Sequence, residues 1–195
     1  MKKVGITGGI GSGKSLICQV FSRLGVPVYN ADMAAKILTE TDPEIRENII
    51  MLMGEDIYSG YLINRSEMIQ RIFNNPVLLK KVNQIIHPKV AAHFEEWCTN
   101  HADHPYVIQE SALLFESNAY RLFDGFVMVT SPIELRISRV IKRKGMTLET
   151  IRSIMQNQLP EEEKIARSQY VLINDETTLV LPQILKLHVA LTNLE

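Results

Sequence analysis

The chain has 195 residues, 46% hydrophobic and 22% charged, with a formal net charge of −1 at pH 7. That balance fits a globular fold and excludes the chain-wide basic field that marks nucleic-acid binders, so no nucleic-acid partner is expected. Two cysteines, Cys18 and Cys98, are too few and too far apart for a disulfide framework or a metal-ligand spacing. No apolar run is long enough for a membrane span and no secretory leader precedes the first apolar segment, so a cytoplasmic location and no membrane partner are expected.

Lys3 to Thr7 reads as a short buried strand. Gly8-Gly9-Ile10-Gly11-Ser12-Gly13-Lys14-Ser15 comes next and fits G-x-x-x-x-G-K-[ST] at every fixed position. Leu16, Ile17, Val20, Phe21 and Leu24 then recur at helical spacing. Strand, glycine loop and helix in this order are what a phosphate cradle needs. Glycines let backbone N–H groups face an anion, and the helix N-terminus adds partial positive charge. Lys14 can reach outer phosphates, and Ser15 can hold Mg²⁺. Gly25 and Pro27 end the first helix, and Cys18 within it is a core candidate.

Val26 to Tyr29 reads as a second strand, and Asn30-Ala31-Asp32 leads into a helical run from Met33 to Leu38. Asp32 thus stands at a strand end, where ligands bind in open α/β sheets; by position alone it could equally be a helix cap. Residues from about 40 to 101 form a helical insertion too long for a simple crossover. Asp42-Pro43 opens one helix, Gly54 to Ile63 is a turn-rich connector, and Ser66 caps the next helix. Asn74 to Pro76 breaks it, and His87-Pro88 divides the rest of the insertion into two further helices. Arg65, Arg71, Lys80, Lys81 and Lys89 lie in this stretch, and solvated helix faces account for most of them.

Tyr106 to Glu110 reads as a strand whose last residue, Glu110, occupies a position suited to an acidic group near Mg²⁺ or to a carboxylate paired with a nearby cation. A strand at Phe126 to Val129 is followed by Thr130-Ser131-Pro132, a cap with proline at the first helical position. The next helix carries Arg136, Arg139 and Arg143 on one face, with Glu134 as the acidic residue near them. That face suits the charge on a transferring phosphoryl group, or it is a solvated basic surface. Gly145 ends this helix, Thr147 caps another reaching Gln158, and residues 136–164 are long enough for a mobile lid. Tyr170 to Ile173 is the last strand, Asn174 comes directly after it, and a closing helix runs from Thr177 to Leu194.

Several of these stretches, in this order, resemble the dephospho-CoA kinase family: Thr7 to Ser15, Ala31-Asp32, Ile86-His87-Pro88, Leu113 to Glu116, Arg139 with Arg143, Gln158-Leu159-Pro160, Glu162 to Lys164, and Asn174. The resemblance covers nearly the whole chain. It implies an α/β fold of the P-loop NTPase type, a parallel sheet flanked by helices, with a helical substrate-binding insertion (32–101), a helical lid (136–164) and a core from 1–31, 102–135 and 165–195. It implies ATP and dephospho-CoA as substrates, Mg²⁺ as cofactor and the ribose 3′-hydroxyl as acceptor. By the same resemblance Gly9, Ile10, Gly11, Ser12, Gly13, Lys14 and Ser15 bind ATP, and Asp32 is the general base. Arg139 stabilises the transferring group with Arg143 in support. Arg65, His87 and Leu113 belong to the acceptor side, and Asn174 lies near the adenine. The chain departs from the family pattern at Ala112, usually proline, and at Asn30, often acidic. Another small-molecule kinase of the same fold is the alternative reading. A nucleotide-dependent switch is disfavoured because no Asn-Lys-x-Asp base-reading motif is present.

Overall fold

The computed structural model describes residues 1–73, 75–117, 119–144 and 146–193, with every side chain among them except those of Phe73, Ala119, Arg143 and Lys144. Strand β1 (Lys2–Thr7) leads through the glycine loop to helix α1 (Lys14–Arg23). The helix ends as expected at Gly25, which has φ 84°. The Val26 N–H reaches the Phe21 carbonyl and the Gly25 N–H that of Ser22, both at 3.1 Å, satisfying carbonyls the helix leaves open. With the Val26 N–H so committed, strand β2 starts later than expected, at Val28–Asn30. Helix α2 (Ala31–Thr41) begins at once, so Asp32 sits in its first turn rather than at the cap.

Helix α3 (Pro43–Met53) is capped by Asp42, whose side chain accepts from the N–H groups of Glu44 and Ile45, both at 2.9 Å. A 3₁₀ turn (Glu55–Ile57) and a hairpin of β3 (Tyr58–Ser59) and β4 (Leu62–Ile63) fill the stretch expected to be only turns; strands of two residues show no alternation to detect. Helix α4 (Arg65–Phe73) is capped not by Ser66 but by Asn64, which accepts from the Glu67 N–H at 3.2 Å. Helix α5 (Pro76–Thr99) is a single element, contrary to the expected break at His87-Pro88. Its buried positions Val82, Ile86, Val90, Phe94 and Cys98 keep a four-residue period straight through Pro88, and α2, α3 and α4 all pack against it. Burying that unbroken stripe offsets the roughly 3 kcal/mol an interior proline costs. Asn74, part of the expected break, lies outside the described residues.

The remaining elements are β5 (Tyr106–Glu110), β6 (Gly125–Thr130), α6 (Ile133–Lys144), α7 (Leu148–Gln156), α8 (Glu161–Ala166), β7 (Tyr170–Ile173) and α9 (Val180–Thr192). Pro132 lies just outside α6, its carbonyl accepting from the Arg136 N–H at 3.0 Å, rather than at the first helical position. Gly145 and Leu194, expected helix ends, lie outside the described residues. The five long strands form one parallel sheet in the order β2-β5-β1-β6-β7. Both faces are covered, so Val4, Ile6, Val107, Ile108, Val127 and Val129 are all buried. Phe21, Ile17, Ile184, Leu187 and Leu191 from α1 and α9 join that core. The chain divides into two compact units, residues 1–30 with 100–195, and residues 31–99. The parallel register brings the ends of β2 and β5 together, with Asn30 opposite Glu110, and places Thr130 opposite Ile173. Among the described residues no helix is long and apolar enough to cross a membrane.

Candidate active site

The loop between β1 and α1 is shaped by positive φ at Gly11 (80°) and Gly13 (93°). A Cβ on Gly11 would lie 2.4 Å from the Arg136 carbonyl oxygen, and one on Gly13 would lie 2.1 Å from Asn174 Nδ2, so neither position takes a side chain. The outer carbonyls of the loop are taken one after another by cationic or amide donors. Lys14 Nζ donates to Gly8 at 2.7 Å and Gly9 at 3.3 Å; Arg136 Nε donates to Ile10 at 3.0 Å. Arg139 Nη1 donates to Gly11 at 3.4 Å, and Asn174 Nδ2 to Ser12 at 2.8 Å. In a trans peptide the N–H points opposite to the preceding carbonyl, so holding these carbonyls orients the loop's N–H groups.

Behind the loop, the Ser15 hydroxyl donates to Glu110 Oε1 at 2.6 Å, and Asn30 Nδ2 donates to Glu110 Oε2 at 3.0 Å. Glu110 is buried, and its two oxygens accept from Ser15 and Asn30. A hydroxyl and a carboxylate suit Mg²⁺, a hard cation that takes one or two protein oxygens and completes its shell with phosphates and water. No cluster of three or more His, Cys, Asp or Glu able to hold a metal occurs among the described residues. Burial first, and Glu110 second, push the Cys18 thiol far above its ordinary range, which makes it an inert core group as expected.

Arg136 and Arg139 of α6 are held by protein groups rather than left to solvent. Arg136 is 7% exposed and ion-paired with Glu161, whose second oxygen accepts from the Thr130 hydroxyl. Arg139 donates to Ser131 Oγ at 3.1 Å, to the Asn174 carbonyl at 3.1 Å, and to Glu176 at 3.1 and 3.2 Å. Glu134 is therefore not the acidic partner here; Glu161 and Glu176, brought in by the fold, are. The Arg143 side chain lies outside the described residues. Arg136, expected on the arginine face of its helix, and Gln158, which spacing did not mark, meet the loop at Ile10, and Glu161 joins them through Arg136. A cavity of about 950 Å³, within the size range of small-molecule sites, is lined by Gly9, Arg136, Gln158, Glu161 and Asp175. Asp175 is held down to a pKa of about 2, chiefly by the Thr178 and then the Thr177 backbone N–H.

The segment after β5 is tied to α8. Lys164, 1% exposed, pairs with Glu116 at 2.7 Å and donates to the Ala112 carbonyl at 3.3 Å. Leu113 sits in that segment, its N–H held by Ser111 Oγ at 3.2 Å. Glu116→Gln is expected to cost about 3–5 kcal/mol, since it leaves a buried ammonium without its counter-charge. Denaturant unfolding of the variant checks this.

In the helical unit Asp32 is exposed in the first turn of α2. Arg65 pairs with Glu40 at 2.7 Å. His87 is half-buried, and burial pushes its imidazole below the ordinary range. A histidine whose pKa is lower folded than unfolded binds its proton more readily when unfolded. Stability then falls as pH drops through the ordinary histidine value of about 6.5. The unfolding midpoint should therefore decline more steeply from pH 7.5 to 5.5 in the native chain than in His87→Gln.

A glycine loop wrapped at the head of a five-stranded parallel sheet, with arginines on its outer side, defines a P-loop kinase. The dephospho-CoA kinase family model matches residues 2–179. A dephospho-CoA kinase of Bacteroides fragilis is 40% identical over 185 residues, 95% of this chain and 90% of that protein. A solved structure from Thermus thermophilus superposes with a TM-score of 0.84 at 31% identity, covering 100% of this chain and 98% of that one. The dephospho-CoA kinase of Campylobacter jejuni shares the fold with a TM-score of 0.70 at 23% identity, covering 97% and 96%. The chain belongs to the dephospho-CoA kinase family, and it is an enzyme of coenzyme A biosynthesis that uses ATP.

Proposed function

We propose that ATP and dephospho-CoA meet here with Mg²⁺, and that the residues of the site divide the work of phosphoryl transfer among them. The loop from Gly9 to Ser15 wraps the ATP phosphates, with Lys14 at its mouth. Ser15, oriented by Glu110, and Glu110 itself hold Mg²⁺, which when bound supplies charge neutralisation on the phosphate oxygens. The 3′-oxygen of the acceptor ribose bonds to the γ-phosphorus, the bond to the β,γ-bridging oxygen breaks, and ADP leaves. The hydroxyl proton passes to Asp32. Arg139, supported by Arg143 one turn further along α6, neutralises charge on the moving group. Asn174, which also grips the Ser12 carbonyl, lies near the adenine. His87, Arg65 and Leu113 serve the acceptor side.

The observation that carries this reading is the row of loop carbonyls held by Lys14, Arg136, Arg139 and Asn174, which readies the loop for a polyphosphate. For Arg139 to turn toward a phosphoryl group it must give up Glu176. That carboxylate is 63% exposed, so losing this one pair costs on the order of 1 kcal/mol or less. The deciding experiment is ADP release from Mg-ATP with and without dephospho-CoA. Release that depends on dephospho-CoA, with coenzyme A as product, is expected. Release indifferent to it, or stimulated by a different acceptor such as shikimate, would overturn the acceptor assignment while leaving the fold intact.

A further inference from the structure

Ile10 is held at both of its backbone polar groups by side chains from outside the loop. Its N–H donates to Gln158 Oε1 at 3.2 Å, and its carbonyl accepts from Arg136 Nε at 3.0 Å. Each gripping side chain is itself braced. Gln158 Nε2 donates to the Ala112 carbonyl at 3.3 Å, the acceptor that also receives buried Lys164, and the Leu159 N–H is held by Glu116 at 2.8 Å. Arg136 is buried, pairs with Glu161, and lies so close over Gly9 that a Cβ there would come within 1.9 Å of its Nη2. Neither residue has a role in the proposed chemistry, yet a buried arginine has been brought to the phosphate loop.

We infer that Arg136 and Gln158 are positioning residues that fix the two peptide planes flanking Ile10. Peptide geometry gives each a separate consequence. With the Ile10 carbonyl turned onto Arg136, the Gly11 N–H in the same plane must point the opposite way. With the Ile10 N–H turned onto Gln158, the Gly9 carbonyl must point the opposite way, and it is there that Lys14 Nζ and the Ser12 N–H find it, at 3.3 and 3.1 Å. Arg136 therefore aims a donor of the loop, and Gln158 aims the carbonyl on which the Lys14 ammonium rests. Both act on nucleotide phosphates through the backbone, without touching them.

The inference rests on the proposed ATP-binding role of the loop, so the test reads nucleotide binding without acceptor. Calorimetry with a non-hydrolysable ATP analogue and Mg²⁺ is run on the native chain, Gln158→Ala, Arg136→Met and the double variant Arg136→Met/Glu161→Gln, each with its thermal unfolding midpoint. Affinity should fall about tenfold in Gln158→Ala and about a hundredfold in Arg136→Met, the larger loss reflecting a charged donor. In turnover assays the KM for dephospho-CoA should stay within twofold of native in both. The double variant separates positioning from stability. Arg136→Met strands a carboxylate and lowers the midpoint, and removing that charge as well should restore much of it. Affinity that stays weak in the restored double variant supports the inference. Affinity that returns with the midpoint, or Gln158→Ala that binds like the native chain, overturns it. A native chain that binds no analogue fails the ATP reading itself, a result distinct from both.

Discussion

Asp32→Asn is expected to lower turnover with dephospho-CoA by about 10²- to 10⁴-fold, the range a positioned general base contributes, while ATP affinity stays near native. The expectation comes from where the residue stands. Strand β2 ends at Asn30 and α2 starts at Ala31, so the second residue of the helix comes two positions after the C-terminal end of an edge strand, the end at which ligands bind in parallel sheets. Its carboxylate is exposed, and with Asn30 neutral it is the carboxylate of that turn. Asparagine keeps the shape and can still accept a hydrogen bond, but it does not take the proton. Single-turnover kinetics with saturating ATP and acceptor make the measurement. Near-native turnover would remove Asp32 from the chemistry and leave it as a first-turn residue favoured by the helix dipole.

Arg139→Ala is expected to cost about 10³-fold or more in turnover, the scale seen when a phosphoryl-stabilising arginine is lost. Here the loss has two parts that kinetics can separate. The guanidinium also braces the loop through Gly11 and joins it to Ser131 and Asn174, so the KM for ATP should rise as well. Arg139→Lys should recover little, because one ammonium cannot reproduce a planar fork that spans these acceptors. Glu176→Ala, which removes only the exposed carboxylate, should leave turnover near native. A rise in KM with kcat within tenfold of native would make Arg139 a brace of the loop alone.

Much of the fold could be read from local pattern. Apart from β2, which starts two residues late, the strands of the sheet, the glycine loop and the helix caps at Asp42 and Thr147 lie where spacing and capping chemistry put them, because each is set by contacts within a few residues. The errors share one cause. Asn64 displaces Ser66 as a cap, the hairpin at Tyr58 to Ile63 escapes notice, and Pro88 fails to break α5, each where packing or a neighbour overrides the local signal.

By itself the sequence determined that a phosphate loop sits between a buried strand and a helix, and its ordered motifs determined the family, since both are statements about residues adjacent in the chain. Only the tertiary structure decided which side chains serve that loop. Arg136 reaches Ile10 across 126 positions and Gln158 across 148, and the acidic partners of the arginines arrive the same way. The physical reason is range. Hydrogen-bond periodicity and turn chemistry act over three or four residues, whereas the partner of a buried guanidinium is whatever the packed sheet and helices bring within about 3 Å of it.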